Sequence, residues 1–213
     1  MRDDKKETIA IPRITQTAYN SFLDEIGLER RVVEIDVPPT NKHIYPFVWG
    51  DREEDAHASE YMKWITENVT IPNYATLYNA SKDCNFLSST SASTKFNFKG
   101  TLDLAIVAAK YEESDYPAGG VFMGIEVKKY VERRNDMQAV VELVLADTPS
   151  EYPVIMLLTN LGSVWRYFWF QKGIIASCQL DLPRGIAFLN SLANEKFSTT
   201  SIPATPASAS SCK

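Results

Sequence analysis

The residues best suited to chemistry in this 213-residue chain are two acids and an amine, spread over two apolar segments. Asp103 is a lone carboxylate early in Thr101-Leu102-Asp103-Leu104-Ala105-Ile106-Val107. Burying such a charge is costly unless it is paired or bound to a metal. In Gly124-Ile125-Glu126-Val127-Lys128 the polar residues alternate with apolar ones, so a strand sends Glu126 and Lys128 to one face and packs Ile125 and Val127 on the other. Paired as a hairpin, the two segments let Asp103 and Glu126 share a divalent cation, Mg²⁺ or Mn²⁺, with the Val127 backbone carbonyl and waters as further ligands. A metal held so polarises a phosphodiester oxygen and acidifies a coordinated water, while Lys128 positions that water and neutralises developing charge. The chemistry expected is phosphodiester hydrolysis. Its rival is a buried ion-pair network that turns nothing over.

These side chains need a frame, and the hydrophobic pattern supplies one. Phe96–Ala109 and Gly120–Lys128 read as strands joined by a polar connection, hence an antiparallel pair. Val131–Asp147 follows as a helix with an apolar side of Met137, Val140, Val141 and Val144, and it carries Gln138. Pro153–Leu158 is a continuous apolar run of strand length, expected at the centre of the sheet. Val164–Phe170 and Gly173–Leu180 read as a hairpin turning at Gln171 and Lys172, and Leu182–Ala193 as a last helix. Upstream, Thr15–Ile26 has helical spacing with Gly27 as its stop, and Arg31–Val37 and His43–Trp49 read as short strands. A helix capped by Asp51 is expected to run to about Val69.

Composition bounds the rest. With 45% hydrophobic residues, ten Tyr, ten Phe and four Trp, the chain can enclose one substantial core. We expect residues 1–50 to pack on a main domain of residues 51–196, with 197–213 a disordered tail rich in Ser, Thr, Ala and Pro. Three widely spaced cysteines make neither a disulfide framework nor a zinc site, which points to a reducing compartment. No apolar run approaches the length that spans a bilayer, so no membrane partner is expected. His43 and His57 are too few and too far apart for a histidine-based metal nuclease. The net charge of −5 argues against a protein coated for duplex binding. Nucleic acid would have to meet a local basic rim, for which Lys95, Lys99, Lys129, Arg133 and Arg134 are the candidates.

Gly100-Thr101-x-Asp103, Glu126-x-Lys128 and Gln138 together resemble the motif series of the PD-(D/E)xK nucleases. Gly100-Thr-Leu-Asp-Leu-Ala-Ile, Gly124-Ile-Glu-Val-Lys-Lys, Tyr152-Pro-Val-Ile-Met-Leu-Leu-Thr-Asn-Leu and Trp165-Arg-Tyr-Phe-Trp-Phe narrow the likeness to the C-terminal domains of Crinkler-type effectors, from about Phe47 to Ala193. The resemblance implies an α/β (α+β) fold with a restriction-endonuclease-like core, a mixed central β-sheet flanked by helices. It implies a protein secreted into host cells and acting on DNA, often in the nucleus. Asp103 and Glu126 match its metal ligands, Lys128 its catalytic lysine, and Gln138 its helix glutamine; Glu60 is matched to an accessory acid, a place for which Glu53, Glu54 and Glu67 compete. Neither an N-terminal translocation segment nor a phosphate-binding loop is found, so an excised C-terminal domain is expected. The alternative is a catalytically inactive module of the same fold that binds host nuclear protein or nucleic acid, or forms a homodimer.

Overall fold

The structure, a computed structural model, describes residues 6–84, 86–87, 94–197 and 202. Its centre is a seven-stranded mixed sheet. The strands are β2 (Arg30–Val32), β3 (Ala75–Tyr78), β5 (Leu104–Ala108), β6 (Val121–Val127), β7 (Ile155–Thr159), β8 (Trp165–Gln171) and β9 (Ile174–Leu180). Their order is β2-β9-β8-β7-β6-β5-β3, which puts the apolar run at Ile155–Thr159 in the middle, as its lack of polar residues demands. A separate two-stranded sheet pairs β1 (Glu7–Ala10) in parallel with β4 (Phe96–Lys99).

Helices cover both faces. On one face α1 (Gln16–Ile26) and α4 (Arg133–Asp147) bury Phe22, Val140, Val141 and Leu143 with Leu102, Met156 and Phe168. On the other, α2 (Ala58–Asn68) and α5 (Leu182–Asn194) bury Tyr61, Ile65, Ile186 and Leu189 with Ile125, Leu157, Trp165 and Trp169. The fold is therefore mixed α/β, a large central sheet flanked by helices. The remaining short helix, α3 (Ala109–Glu112), lies in the β5–β6 connection.

Local chemistry explains most boundaries. Thr15 caps α1 by accepting the Ala18 N–H, and Gly27 ends the helix in the left-handed region at φ 67°. Asp181 caps α5 through the Arg184 N–H, with Pro183 in the first turn. The β8–β9 hairpin turns on Lys172 and Gly173, both at positive φ, the backbone that a two-residue turn needs to match strand twist.

Several expected elements take other forms. Phe96–Ala109 is two strands in two sheets, because Gly100–Asp103 breaks the run, and only β5 pairs with β6. The alternation from Arg31 yields only the short edge strand β2, and His43–Trp49 forms no strand; its aromatic rings pack against helix and loop, as Phe47 does on Trp49. The helix after Asp51 begins only at a short 3₁₀ turn, Glu54–His57, and is not capped by Asp51. Of the expected tail, Phe197 and Ile202 are buried, Phe197 stacking on Phe122 with centroids 5.3 Å apart; 198–201 and 203–213 lie outside the described residues.

Candidate functional site

The β5–β6 pairing is antiparallel and sets Leu104 opposite Ile125. One step before that pair, Asp103 falls opposite Glu126, and residues that face each other across a ladder share a side of the sheet. Where β5 ends, the Val127 N–H has no strand partner on that edge. The Asp103 carboxylate takes it instead, Oδ2 accepting at 2.7 Å. In a strand a residue's carbonyl points to the same edge as its N–H, so the Val127 carbonyl faces Asp103 as well.

Lys128, two residues after Glu126, returns to the same face. Its Nζ lies 2.5 Å from Glu126 Oε1, 3.8 Å from Asp103 Oδ2 and 3.7 Å from Glu54 Oε2. A single cation thus faces both acids, one in β6 and one just ahead of β5. Gln138, in the second turn of α4, donates from Nε2 to Glu126 Oε1 at 2.6 Å and to Glu142 Oε1 at 2.8 Å. Glu126, Gln138 and Glu142 are all buried, and Glu142 Oε2 has no hydrogen-bond partner among the described residues.

Burial dominates the protonation of these groups. It raises the Asp103 pKa against the pull of Lys128. It also holds Glu126 well above the usual carboxylate range, helped by the charges of Asp103 and Glu142. Glu142 is pushed up to about 8 by burial, against the lowering effect of Gln138 and Lys128. For Lys128, burial works downward but the facing acids Glu126 and Asp103 win, and its pKa is raised. The Lys128 ammonium is favoured by the acids around it, and burial outweighs its pull on each of those acids.

The sequence candidates sort by position. Asp103, Glu126, Lys128 and Gln138 come together, and the Val127 carbonyl faces the same edge. Glu60 does not join them: its side chain, exposed on α2, is tied to Arg52 and to His57 Nδ1. Glu54 approaches instead, one oxygen accepting the Lys129 N–H at 2.7 Å and the other facing Lys128. Beside it opens a cleft of about 400 Å³ lined by Asp51, Arg52, Glu53, Asp55, Lys129 and Tyr130. Of the basic candidates, Lys129 Nζ reaches the Gly50 carbonyl at 2.8 Å and Arg134 pairs with Glu132 at 3.1 Å. Lys95 pairs with Glu25 at 2.9 Å, on α1, and Lys99 is exposed at the end of β4. Arg133 lines a large cavity on the other flank of α4.

Glu142 is the site residue that sequence reasoning passed over. Its signal was present, a lone acid inside Ala139-Val140-Val141-Glu142-Leu143-Val144, one helical turn after Gln138.

The donor types suit a hard divalent cation, since Lys128 already places a positive charge between two carboxylates. Among the described residues no three His, Cys, Asp or Glu side chains gather as a metal cluster. A cation here would therefore rely on the Val127 carbonyl and on water as well, with Lys128 drawn aside.

No family model matches the chain, and no solved structure matches it. Curated relatives do. The chain is 28% identical over 185 residues to Crinkler effector protein 4 of Phytophthora capsici, covering 79% of this chain and 43% of that protein. It is 29% identical over 133 residues to Crinkler effector protein 2 of Phytophthora infestans, covering 59% and 29%. It is 31% identical over 125 residues to Crinkler effector protein 161 of Phytophthora sojae, covering 56% and 28%. The chain spans less than half the length of these relatives, which carry a single description between them: the homologues of this chain are Crinkler effector proteins.

Proposed function

We propose that this chain is the nuclease-fold domain of a Crinkler-type effector that hydrolyses DNA phosphodiesters in a host cell, using a divalent cation at Asp103 and Glu126. One observation carries the reading: an acid just before β5 and an acid in β6 both face the amine that follows β6, at 3.8 and 2.5 Å from Lys128 Nζ. Bound there, Mg²⁺ or Mn²⁺ would supply Lewis acidity to a phosphoryl oxygen and lower the pKa of a coordinated water. Asp103 and Glu126 hold the cation, and its charge favours their ionised forms. Gln138 fixes Glu126 in place from α4, so the carboxylate does not have to be ordered at each turnover. Lys128 orients the attacking water and stabilises negative charge as it builds on the phosphoryl oxygens. Burial on the sheet's helix-covered face keeps bulk water from competing for these groups. Action in the host nucleus belongs to the same proposal and rests on the resemblance to Crinkler effectors.

Nicking of supercoiled plasmid by the full chain with Mg²⁺ or Mn²⁺ tests this. The native chain is expected to nick, and Asp103→Asn and Lys128→Ala are each expected to lose about 10²-fold or more in rate. Nicking by both variants at the native rate rejects the assignment.

A second reading has one observation in its favour. The 2.5 Å contact of Lys128 with Glu126, inside an acidic protein, also describes a structural ion pair in a module that binds host protein or self-associates. Calorimetric titration separates the two. Heat of Mn²⁺ binding that disappears in Asp103→Asn supports the nuclease, whereas dimerisation or partner retention without any metal heat supports the module.

A further inference from the structure

On the flank of α4 opposite Gln138, a second polar cluster faces an open cavity. Asp136 is buried, yet each of its oxygens serves a different guanidinium: Arg30 Nη1 donates to Oδ2 at 3.0 Å, and Arg166 Nη1 to Oδ1 at 2.7 Å. Both forks are also pinned at Nε, Arg30 to Ser177 Oγ at 3.2 Å and Arg166 to Gln179 Oε1 at 2.7 Å. Arg30 further lies 5.0 Å over the Phe168 ring. Each arginine has five donor hydrogens, so two or more on each remain beyond these bonds. Cavities of about 560 and about 220 Å³ adjoin the cluster, both lined by Arg30, Asp136 and Arg166, and the larger also by Arg133.

Tying α4 to the sheet needs one arginine against Asp136. Two rigid forks sharing one carboxylate leave a surplus positive charge in a half-buried recess, and Arg133 at the start of α4 adds to it. In a chain of net charge −5 this surplus runs against the overall balance. Pre-organised guanidinium forks suit the tetrahedral oxyanion of a phosphate. The sheet register then relates this recess to the acid–amine centre: Glu126 pairs with Leu158, and Leu158 with Arg166. Glu126 and Arg166 therefore share a row and a face two strands apart, about 10 Å. Leu158 between them is buried under α4, so a polynucleotide backbone reaches both by passing the N-terminal end of that helix.

We propose that Arg30, Arg166 and Arg133 form a cleft that binds a backbone phosphate of a polynucleotide, on the far side of the start of α4 from the acid–amine centre. The identity of the polyanion rests on the nuclease reading above; the cleft itself does not.

The test measures binding of a labelled duplex oligonucleotide to the full chain by fluorescence anisotropy, in EDTA, over a range of salt. Arg133 is exposed and makes no ion pair among the described residues. Arg133→Gln should therefore fold normally, bind about tenfold more weakly at low salt, and lower the slope of log affinity against log salt by about 1. Arg166→Gln should weaken binding further, and if that variant fails to fold, Arg133→Gln decides alone. Unchanged affinity and slope in Arg133→Gln overturn the proposal. So does displacement of the duplex by inorganic phosphate at an equal concentration of phosphate groups, which marks a site for the free anion. Arginine-dependent binding without nicking by the native chain leaves the cleft standing and removes the nuclease; nicking with arginine-independent binding does the opposite.

Discussion

At the scale of single residues, a costly choice in this molecule is Glu142, an acid with no exposed surface and one oxygen unpartnered among the described residues. A hydrophobic residue would pack there more cheaply. Glu142 instead shares the Gln138 amide with Glu126, so it fixes that amide's orientation toward the site. Its pKa of about 8 gives a stability consequence with a definite sign. Below the ordinary glutamate value, near 4.5, folded and unfolded chains both hold the proton and stability is undiminished. As pH rises from there toward 8 the unfolded chain releases the proton while the folded chain keeps it, so stability falls; above 8 the loss levels off. Each pH unit in that window costs up to about 1.4 kcal/mol, a few kcal/mol in total as an order of magnitude. Glu142→Gln keeps an acceptor for Gln138 and cannot ionise. Urea unfolding at pH 5 and pH 8 should show the native chain losing more stability across the interval than Glu142→Gln, by a few kcal/mol. Equal losses in the two would mean that Glu142 is already ionised in the folded protein near pH 5.

At the scale of elements, close approach governs where helices can lie. Gly185 in α5 sits against Trp165 of β8 so tightly that an added Cβ would fall 2.5 Å from the indole Cγ. The Tyr167 hydroxyl donates to the Gly185 carbonyl at 2.7 Å, which locks that approach. Alanine would gain about 1 kcal/mol of helix propensity, but overpacking against a buried ring costs about 1–3 kcal/mol and here exceeds it. Gly185→Ala is therefore expected to lower the urea midpoint, by about 1–2 kcal/mol in free energy; a raised midpoint would show that α5 can shift away at little cost. Elements of this kind explain what could be read from the sequence. The hairpin β8–β9, the central β7 and the helices α1, α4 and α5 have strong periodicity or clear caps, and all are found near their expected bounds. The strands β1 and β3 are short and carry no alternating pattern, since their pairing with β4 and β5 is non-local. The acids and amine of the site were legible because a charge in an apolar strand is conspicuous. Arg166 in its aromatic strand gave the same signal, yet its meaning depends on Asp136, 30 positions away in sequence, and on Arg30, a further 106 positions before Asp136.

At the scale of the whole molecule, the site depends on a segment far from it in sequence. Ile11 is fully buried and lies over Gly100, where a Cβ would meet its Cδ1 at 2.6 Å. The turn after β1, which begins at Ile11, thereby braces the loop that delivers Asp103, and β1 pairs with β4 just ahead of that loop. If residues 6–14 are part of one cooperative unit, a cavity at Ile11 must be felt on the opposite face of the sheet. All four tryptophans report from there: Trp165 and Trp169 are buried in the face covered by α2 and α5, and Trp49 and Trp64 pack against it. Ile11→Ala should cost about 2–5 kcal/mol. It should shift the whole tryptophan-fluorescence transition in urea by that amount with its steepness unchanged, because in a two-state unit any probe reports the global free energy. A second, earlier transition seen by circular dichroism but silent in tryptophan fluorescence would instead make the N-terminal strand a separately unfolding layer. In that case Asp103 would lose its brace before the sheet melts, and the Mn²⁺ binding proposed for this site would weaken in Ile11→Ala while the core remained intact.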